Sequence, residues 1–121
     1  MRVLLLGVGG FIGSHLADRL LQDPHYEVDG LDLSDDKLEE VRLRPRFTFV
    51  RGDIRQEHQT LTAMIDRADV VVDLIAHATP SLYVARPLEV FQLNFMENLY
   101  IAETCVEKGK RLVQFSSCEV L

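Results

Sequence analysis

The chain has few of the residues that mark secreted, membrane-bound or nucleic-acid-binding proteins. Its 121 residues include no tryptophan, two cysteines, and 13 basic residues against 19 acidic ones, for a formal net charge of −6. Cys105 and Cys118 form no Cys-x-x-Cys motif, which argues against a disulfide framework or a zinc site. No basic cluster is present to bind a phosphate backbone, and no apolar run approaches membrane-spanning length. We therefore expect a cytoplasmic protein with no metal, nucleic-acid or membrane partner.

The rest of the composition is that of an ordinary folded domain, with 47% hydrophobic residues and no repeat. Strand and helix patterns alternate along it. The predicted strands are at about Arg2–Leu6, Glu27–Asp32, Phe47–Arg51, Val70–Ile75 and Arg111–Ser116. The predicted helices are at about Phe11–Gln22, Asp35–Arg42, Thr60–Arg67 and Pro87–Lys108, the last closed by Gly109. Right-handed crossovers predict strand order 3-2-1-4-5, an α/β doubly wound parallel sheet of the Rossmann type.

An apolar strand runs directly into glycines at spacing three, and a helical pattern follows. Gly7 allows the turn off the strand, Gly10 lets a phosphate approach the backbone, and Gly13 lets the helix pack closely on the sheet. Gly9 is an additional flexible position. The helix is expected to turn Ile12, Leu16, Leu20 and Leu21 toward the sheet. Backbone N–H groups and the helix dipole would bind a cofactor phosphate; the alternative is a turn without ligand. The candidate cofactor residues here are Gly7, Gly10, Phe11, Ile12 and Gly13.

Two acids follow the next two strands. Asp32 lies 19 positions after Gly13, where a carboxylate accepts hydrogen bonds from the adenosine ribose and repels a 2′-phosphate, so NAD is favoured over NADP. The alternative is that Asp32 is an acid that caps a turn, and Asp35 or Asp36 could share its role. Asp53 is placed to accept from the adenine amino group, with Ile54 covering the ring, or is simply a loop acid.

Together these motifs resemble the extended short-chain dehydrogenase/reductases, the nucleotide-sugar epimerase, dehydratase and decarboxylase family. The resemblance rests on Gly7-x-x-Gly10-Phe-Ile-Gly13, Asp32, Gly52-Asp-Ile54, Ala76-His-Ala78, Asn94 and Ser116-Ser-Cys-Glu119, and covers essentially the whole chain. The segments around residues 74–83 and 91–99 are most similar to the UDP-glucuronate decarboxylases of that family. A Rossmann fold, NAD as cofactor and a UDP-sugar as substrate are implied.

The resemblance also implies roles for the later residues. Ala76 and Ala78 would leave room for the cofactor, with Ala78 also near the substrate, and Tyr83 would contact the nucleotide sugar or be an ordinary surface tyrosine. Asn94 would order the active-site loops from a helix that is equally expected to be a buried crossover. Ser117 and Glu119 would be catalytic, with Glu119 as a helix cap the alternative. Cys118 departs from the family's serine, which puts the polar role of that position in question.

The implied chemistry is oxidation at C4 of a UDP-uronic acid by hydride transfer to NAD, followed by loss of carbon dioxide. The family's Tyr-x-x-x-Lys pair is missing, because no tyrosine here has a lysine four residues later. We therefore expect an N-terminal cofactor-binding part, truncated after the fifth strand, without the substrate domain and inactive alone. A 4-epimerase or dehydratase, or a non-enzymatic NAD-binding module, are the alternatives. Apolar residues at the fifth strand, including Val113 and Phe115, predict a homo-oligomer.

Overall fold

The structure is a computed structural model that describes residues 1–75, 87–88 and 92–115, with the backbone alone for 92–94. It contains five strands: β1 (Arg2–Leu6), β2 (Glu27–Asp32), β3 (Phe47–Arg51), β4 (Val70–Asp73) and β5 (Arg111–Gln114). All pairings are parallel, in the order β3-β2-β1-β4-β5. This is the predicted Rossmann-type order. The first three strands have the predicted bounds, whereas β4 ends two residues earlier than predicted, at Asp73.

Within the described ranges, the α-helices that cover the sheet are α1 (Phe11–Leu21), α2 (His58–Arg67) and α3 (Asn98–Lys108). A π-helix, Gln92–Glu97, precedes α3, so the end of the predicted long helix is α-helical and its middle is not. Gly109 ends α3 in the left-handed conformation at φ 66°, which agrees with the predicted C-cap. Within the described ranges, no helix is both long and apolar enough to cross a membrane; a cytoplasmic location stays a prediction.

The core divides into two apolar clusters, one on each face of the sheet. One joins β1 and β4 to α2 and α3, and includes Leu4, Leu61, Ile65 and Ile101, all fully buried. The other joins the sheet to α1 and to the segment after β2, where Leu38 and Val41 are buried. Both faces of a parallel sheet are therefore covered, as that architecture requires.

The predicted helix at Asp35–Arg42 is wrong. This segment consists of turns and a short 3₁₀ helix, Val41–Leu43. Leu38 and Val41 supply its buried apolar contacts, while Asp35 is paired with arginines. Nucleating an α-helix costs free energy, and two buried side chains in a segment of polar residues supply too little packing to offset it.

The predicted inward face of α1 is wrong at one position. Ile12 is 53% exposed, whereas Gly13, Ala17 and Leu21 are buried and Leu16 and Leu20 pack partly against the core. The inward face is set by Gly13, because its lack of a side chain brings the first turn against the end of β1.

Candidate cofactor site

The loop between β1 and α1 is shaped by glycines that differ in what surrounds them. Gly7 has φ +87°, a left-handed conformation that allows the chain to turn off β1. A Cβ on Gly13 would lie 2.4 Å from the carbonyl oxygen of Gly7, so the helix reaches the strand only because residue 13 has no side chain. Among the described residues, a Cβ on Gly10 would meet only that oxygen, at 3.5 Å.

The N-terminus of α1 is available to a ligand. Gly10 is its N-cap, and no side chain in the described part of the chain caps the helix or places an acid in its first turn. The first N–H groups of a helix have no partner inside it and carry its positive dipole end. Phe11 and Ile12, predicted as cofactor residues, lie in this first turn and are 69% and 53% exposed. An anionic phosphate fits this site.

Gly9 is a fixed position and not the merely flexible one predicted. Its N–H donates to Oδ2 of Asp32 at 2.8 Å, and a Cβ there would lie 2.1 Å from the carbonyl oxygen of Ser34. The glycine loop is thus held against the segment that follows β2. Sequence spacing gave no sign of this contact, because it depends on how two separate loops approach each other.

Asp32 ends β2 and faces the glycine loop. Its Oδ1 accepts the N–H of Leu33 at 2.6 Å, and its Oδ2 accepts the N–H of Gly9. A carboxylate oxygen accepts two hydrogen bonds, so each oxygen retains a lone pair for a ribose hydroxyl. The predicted ribose contact and the observed loop contact are therefore compatible.

Asp53 and Ile54 lie beside Asp32 in one small pocket. It has a volume of about 80 Å³ and is lined by Leu31, Asp32, Leu33, Gly52, Asp53, Ile54, Arg55 and Ile75. Ile54 is 4% exposed, and it provides an apolar wall suited to a flat ring. Asp53 accepts hydrogen bonds from the Arg55 side chain at 3.1 and 2.9 Å, which holds the pKa of its carboxyl below the ordinary value. The predicted adenine contact would share this carboxylate with Arg55.

Asp73 is a buried acid that the sequence analysis did not single out. It ends β4 beside Leu6 of β1 and Gln114 of β5, and it is 1% exposed. Oδ1 accepts the N–H of Ile75 at 3.0 Å, whereas Oδ2 has no hydrogen-bond partner among the described residues. Burial raises the pKa of this carboxyl to about 6. A lone acid in the apolar run Val70–Ile75 was the available sequence signal.

A second group of contacts anchors the chain before and within α3. His58 of α2 bonds Glu97 at 2.8 Å and stacks on Tyr100 with ring centres 4.1 Å apart. Asn98 is buried, and its Nδ2 donates to the carbonyl oxygen of Ile75 at 3.4 Å. The helix thus contacts the backbone just beyond β4 through Asn98, four residues after Asn94.

The structure does not describe all of the remaining predicted site residues. Asn94 lies in the π-helix, and its side chain is outside the described part. The positions outside the described residues altogether are Ala76, Ala78, Tyr83, Ser117 and Glu119. Their roles stay predictions. Across residues 1–75, 87–88 and 92–115, no group of three or more potential metal ligands occurs, and Cys105 is a buried free thiol.

Comparison with solved structures gives close matches over nearly the whole chain. The PbgP3 protein from Burkholderia pseudomallei is 42% identical, with a TM-score of 0.92, over 98% of this chain and 36% of that one. UDP-glucuronic acid 4-epimerase from Bacillus cereus, in complex with UDP-glucuronic acid and NAD, is 28% identical, with a TM-score of 0.84, over 98% and 40%.

UDP-N-acetylglucosamine 4-epimerase from Methanobrevibacter ruminantium, in complex with UDP-N-acetylmuramic acid, is also 28% identical, with a TM-score of 0.84, over 96% of this chain and 37% of that one. The chain thus spans at most 40% of the length of these three structures.

The family model for the NAD dependent epimerase/dehydratase family matches residues 3–121. That match includes the glycine loop, Asp32 and the Asp53 pocket described above. The chain belongs to the NAD-dependent epimerase/dehydratase family, the extended short-chain dehydrogenase/reductases that modify nucleotide sugars.

Proposed function

We propose that the chain binds NAD across the carboxyl ends of β1, β2 and β3. The observation that carries this is the N-terminus of α1, which no described side chain caps and where Gly10 has no close neighbour among the described residues except Gly7, with Asp32 on the adjacent strand. The pyrophosphate would bind the first-turn N–H groups, Asp32 the adenosine ribose, and the pocket beside Ile54 the adenine. When bound, NAD supplies a hydride acceptor.

Substitutions at Gly10 test this placement. Gly10→Asp retains a favourable N-cap and complements the helix dipole, yet it puts a negative charge where the pyrophosphate would lie. Calorimetric titration should show loss of NAD binding by Gly10→Asp, with thermal stability equal to or above that of the wild type. Gly10→Asn is the neutral control and should bind more tightly than the aspartate variant. Equal NAD affinity in the wild type and Gly10→Asp would overturn the proposal.

Gly13→Ala provides the contrast. Its new Cβ would lie within 3 Å of backbone atoms of Gly7 and Val8, so the fold itself must shift. We expect a lower melting temperature for this variant, unlike either Gly10 variant. The two glycines therefore separate loss of binding from loss of folding.

We further propose that the chain is the cofactor-binding part of an enzyme that oxidises C4 of a UDP-uronic acid. The support is the similarity to an epimerase crystallised with UDP-glucuronic acid and NAD, together with the decarboxylase-like segments around residues 74–83 and 91–99. A ketone at C4 is β to the carboxylate, so carbon dioxide can leave with its electrons delocalised into the ketone. Ser117 and Glu119, which follow β5 in the sequence, would act on the sugar in this step.

Epimerisation without decarboxylation is the second candidate, because epimerases are prominent among the matched structures. Incubation with UDP-glucuronic acid and NAD, followed by NMR, distinguishes a UDP-pentose from UDP-galacturonic acid. Because this chain has no Tyr-x-x-x-Lys pair, we expect NAD binding without turnover. Formation of either sugar by the chain alone would contradict that expectation.

Self-association is proposed through β5, the last strand of the described sheet. Val113 and Phe115 are 43% and 47% exposed there, and an unpaired parallel edge readily pairs with another chain. Sedimentation should give a molecular mass that rises with concentration, and Val113→Lys should reduce this association. A concentration-independent monomer would overturn the proposal.

A further inference from the structure

Asp35 lies between two arginines, three residues after the end of β2. Its Oδ1 accepts Nη2 of Arg51 at 2.8 Å, and its Oδ2 is paired with Arg42. The Asp35 side chain is 17% exposed, whereas the arginine side chains are 52% and 63% exposed. The two guanidinium groups therefore reach solvent but are held on a sheltered carboxylate. We call Asp35, Arg42 and Arg51 the arginine clamp.

The arginine clamp adjoins the adenosine end of the proposed cofactor site. Arg51 is the last residue of β3 and is paired in register with Asp32 on β2, so their Cα atoms lie about 5 Å apart. The N–H of Gly52 donates to the carbonyl oxygen of Asp32 at 3.0 Å, which fixes the two strand ends together. The guanidinium carbon of Arg42 lies over the Phe49 ring, 6.0 Å from its centre.

Arginines near the ribose are what a site needs to accept the 2′-phosphate of NADP, because guanidinium N–H groups match phosphate oxygens. In this structure Asp35 takes Arg42 and Arg51 as partners and neutralises one of their two charges. Asp32 contributes a further negative charge beside them. The charges of these four side chains sum to zero, so together they offer no net attraction to a 2′-phosphate.

We propose that Asp35 is a second determinant of cofactor specificity, which excludes NADP by holding Arg42 and Arg51 away from the 2′ position. The inference rests on the proposed NAD site. It assigns rejection of the 2′-phosphate to two acids: Asp32 repels it directly, and Asp35 withholds the cations that would otherwise bind it.

The test is titration of NAD and NADP into the wild type, Asp35→Asn, Asp32→Asn and the double variant. Freeing the guanidinium groups should tighten NADP binding by about tenfold in the double variant relative to Asp32→Asn, the worth of one charge-assisted hydrogen bond. Asp35→Asn alone should also gain NADP affinity. Adding Arg51→Gln to the double variant should remove the gain.

Asp36→Asn is the matched control, because it makes the same change of net charge at an adjacent, exposed acid outside the arginine clamp. It should leave NADP affinity unchanged. Retained NAD binding with no gain of NADP affinity in Asp35→Asn or in the double variant would overturn this inference alone. Failure of the wild type to bind NAD would overturn the proposed function and this inference with it.

Discussion

Replacing Asp73 with asparagine should remove a pH-dependent part of the free energy of unfolding. The carboxyl of Asp73 has an ordinary pKa of 3.8 in the unfolded chain and about 6 in the folded one, because burial disfavours its charged form. The folded state therefore binds more protons between these values, and stability falls as pH rises through this window. At 1.36 kcal/mol per pKa unit the full loss is about 3 kcal/mol.

Part of that loss of stability falls in a pH range that is convenient for unfolding experiments. Between about pH 5 and about pH 7.5 the same two pKa values give a loss of about 1.4 kcal/mol in the wild type. Asp73→Asn has no proton to release, so it should not show this component. Asparagine can still accept the N–H of Ile75, which leaves the turn after β4 its hydrogen bond.

Urea unfolding followed by circular dichroism measures both proteins at both pH values. At each pH, the free energy of unfolding of the variant is subtracted from that of the wild type. The change in this difference between the two pH values reports on Asp73, because the other titrating groups contribute equally to both proteins. Asp53→Asn is the control: Arg55 lowers the pKa of Asp53, so this carboxyl stays ionised in both states over the window. A difference between wild type and Asp73→Asn that stays constant with pH would refute the reasoning.

Three further predictions concern buried groups. Arg2→Met should destabilise the fold by about 2 kcal/mol in urea unfolding, because the buried Asp29 loses its hydrogen-bonded ion pair at 2.8 Å and keeps only the longer one to Arg67 at 3.5 Å. Gly30→Ala should lower the free energy of unfolding by about 1–3 kcal/mol, since its Cβ would lie 2.6 Å from the Val8 side chain. Adding Val8→Ala should restore part of this stability. A double variant no more stable than Gly30→Ala would contradict the contact. Cys105, whose thiol pKa is raised by burial and by the charge of Asp73, should resist iodoacetamide until urea is added, as mass spectrometry of its peptide would show.

The sheet could be predicted because its signals are local. Each strand is a short segment between turns that carries apolar residues, and the handedness of crossovers then sets the order. The early end of β4 was not predictable in this way. Asp73 continues the strand by position, but its carboxylate accepts the N–H of Ile75 and turns the chain away from the ladder. That bond depends on one side chain's orientation, which a pattern of apolar residues does not contain.

The segment after β2, next to the candidate cofactor site, could not be predicted from the sequence either. The sequence predicts a short, charged helix at Asp35–Arg42. In the structure Asp35 instead pairs with Arg51, 16 residues away on β3. Competition between a local helix and a tertiary ion pair is decided by where β3 lies, and only the fold supplies that information.

The glycine loop also depends on a contact between distant residues. Three glycines at spacing three predicted the phosphate site, yet the loop is also held by Asp32 through Gly9, 23 residues away. Asp32 therefore has two possible contributions to NAD affinity: it fixes the loop, and it would accept the ribose hydroxyls. An alanine substitution removes both at once and cannot separate them. Asp32→Asn retains an oxygen for the Gly9 N–H but loses the negative charge. If Asp32→Ala loses NAD affinity and Asp32→Asn keeps it, the larger contribution of Asp32 to NAD affinity is its contact with the glycine loop.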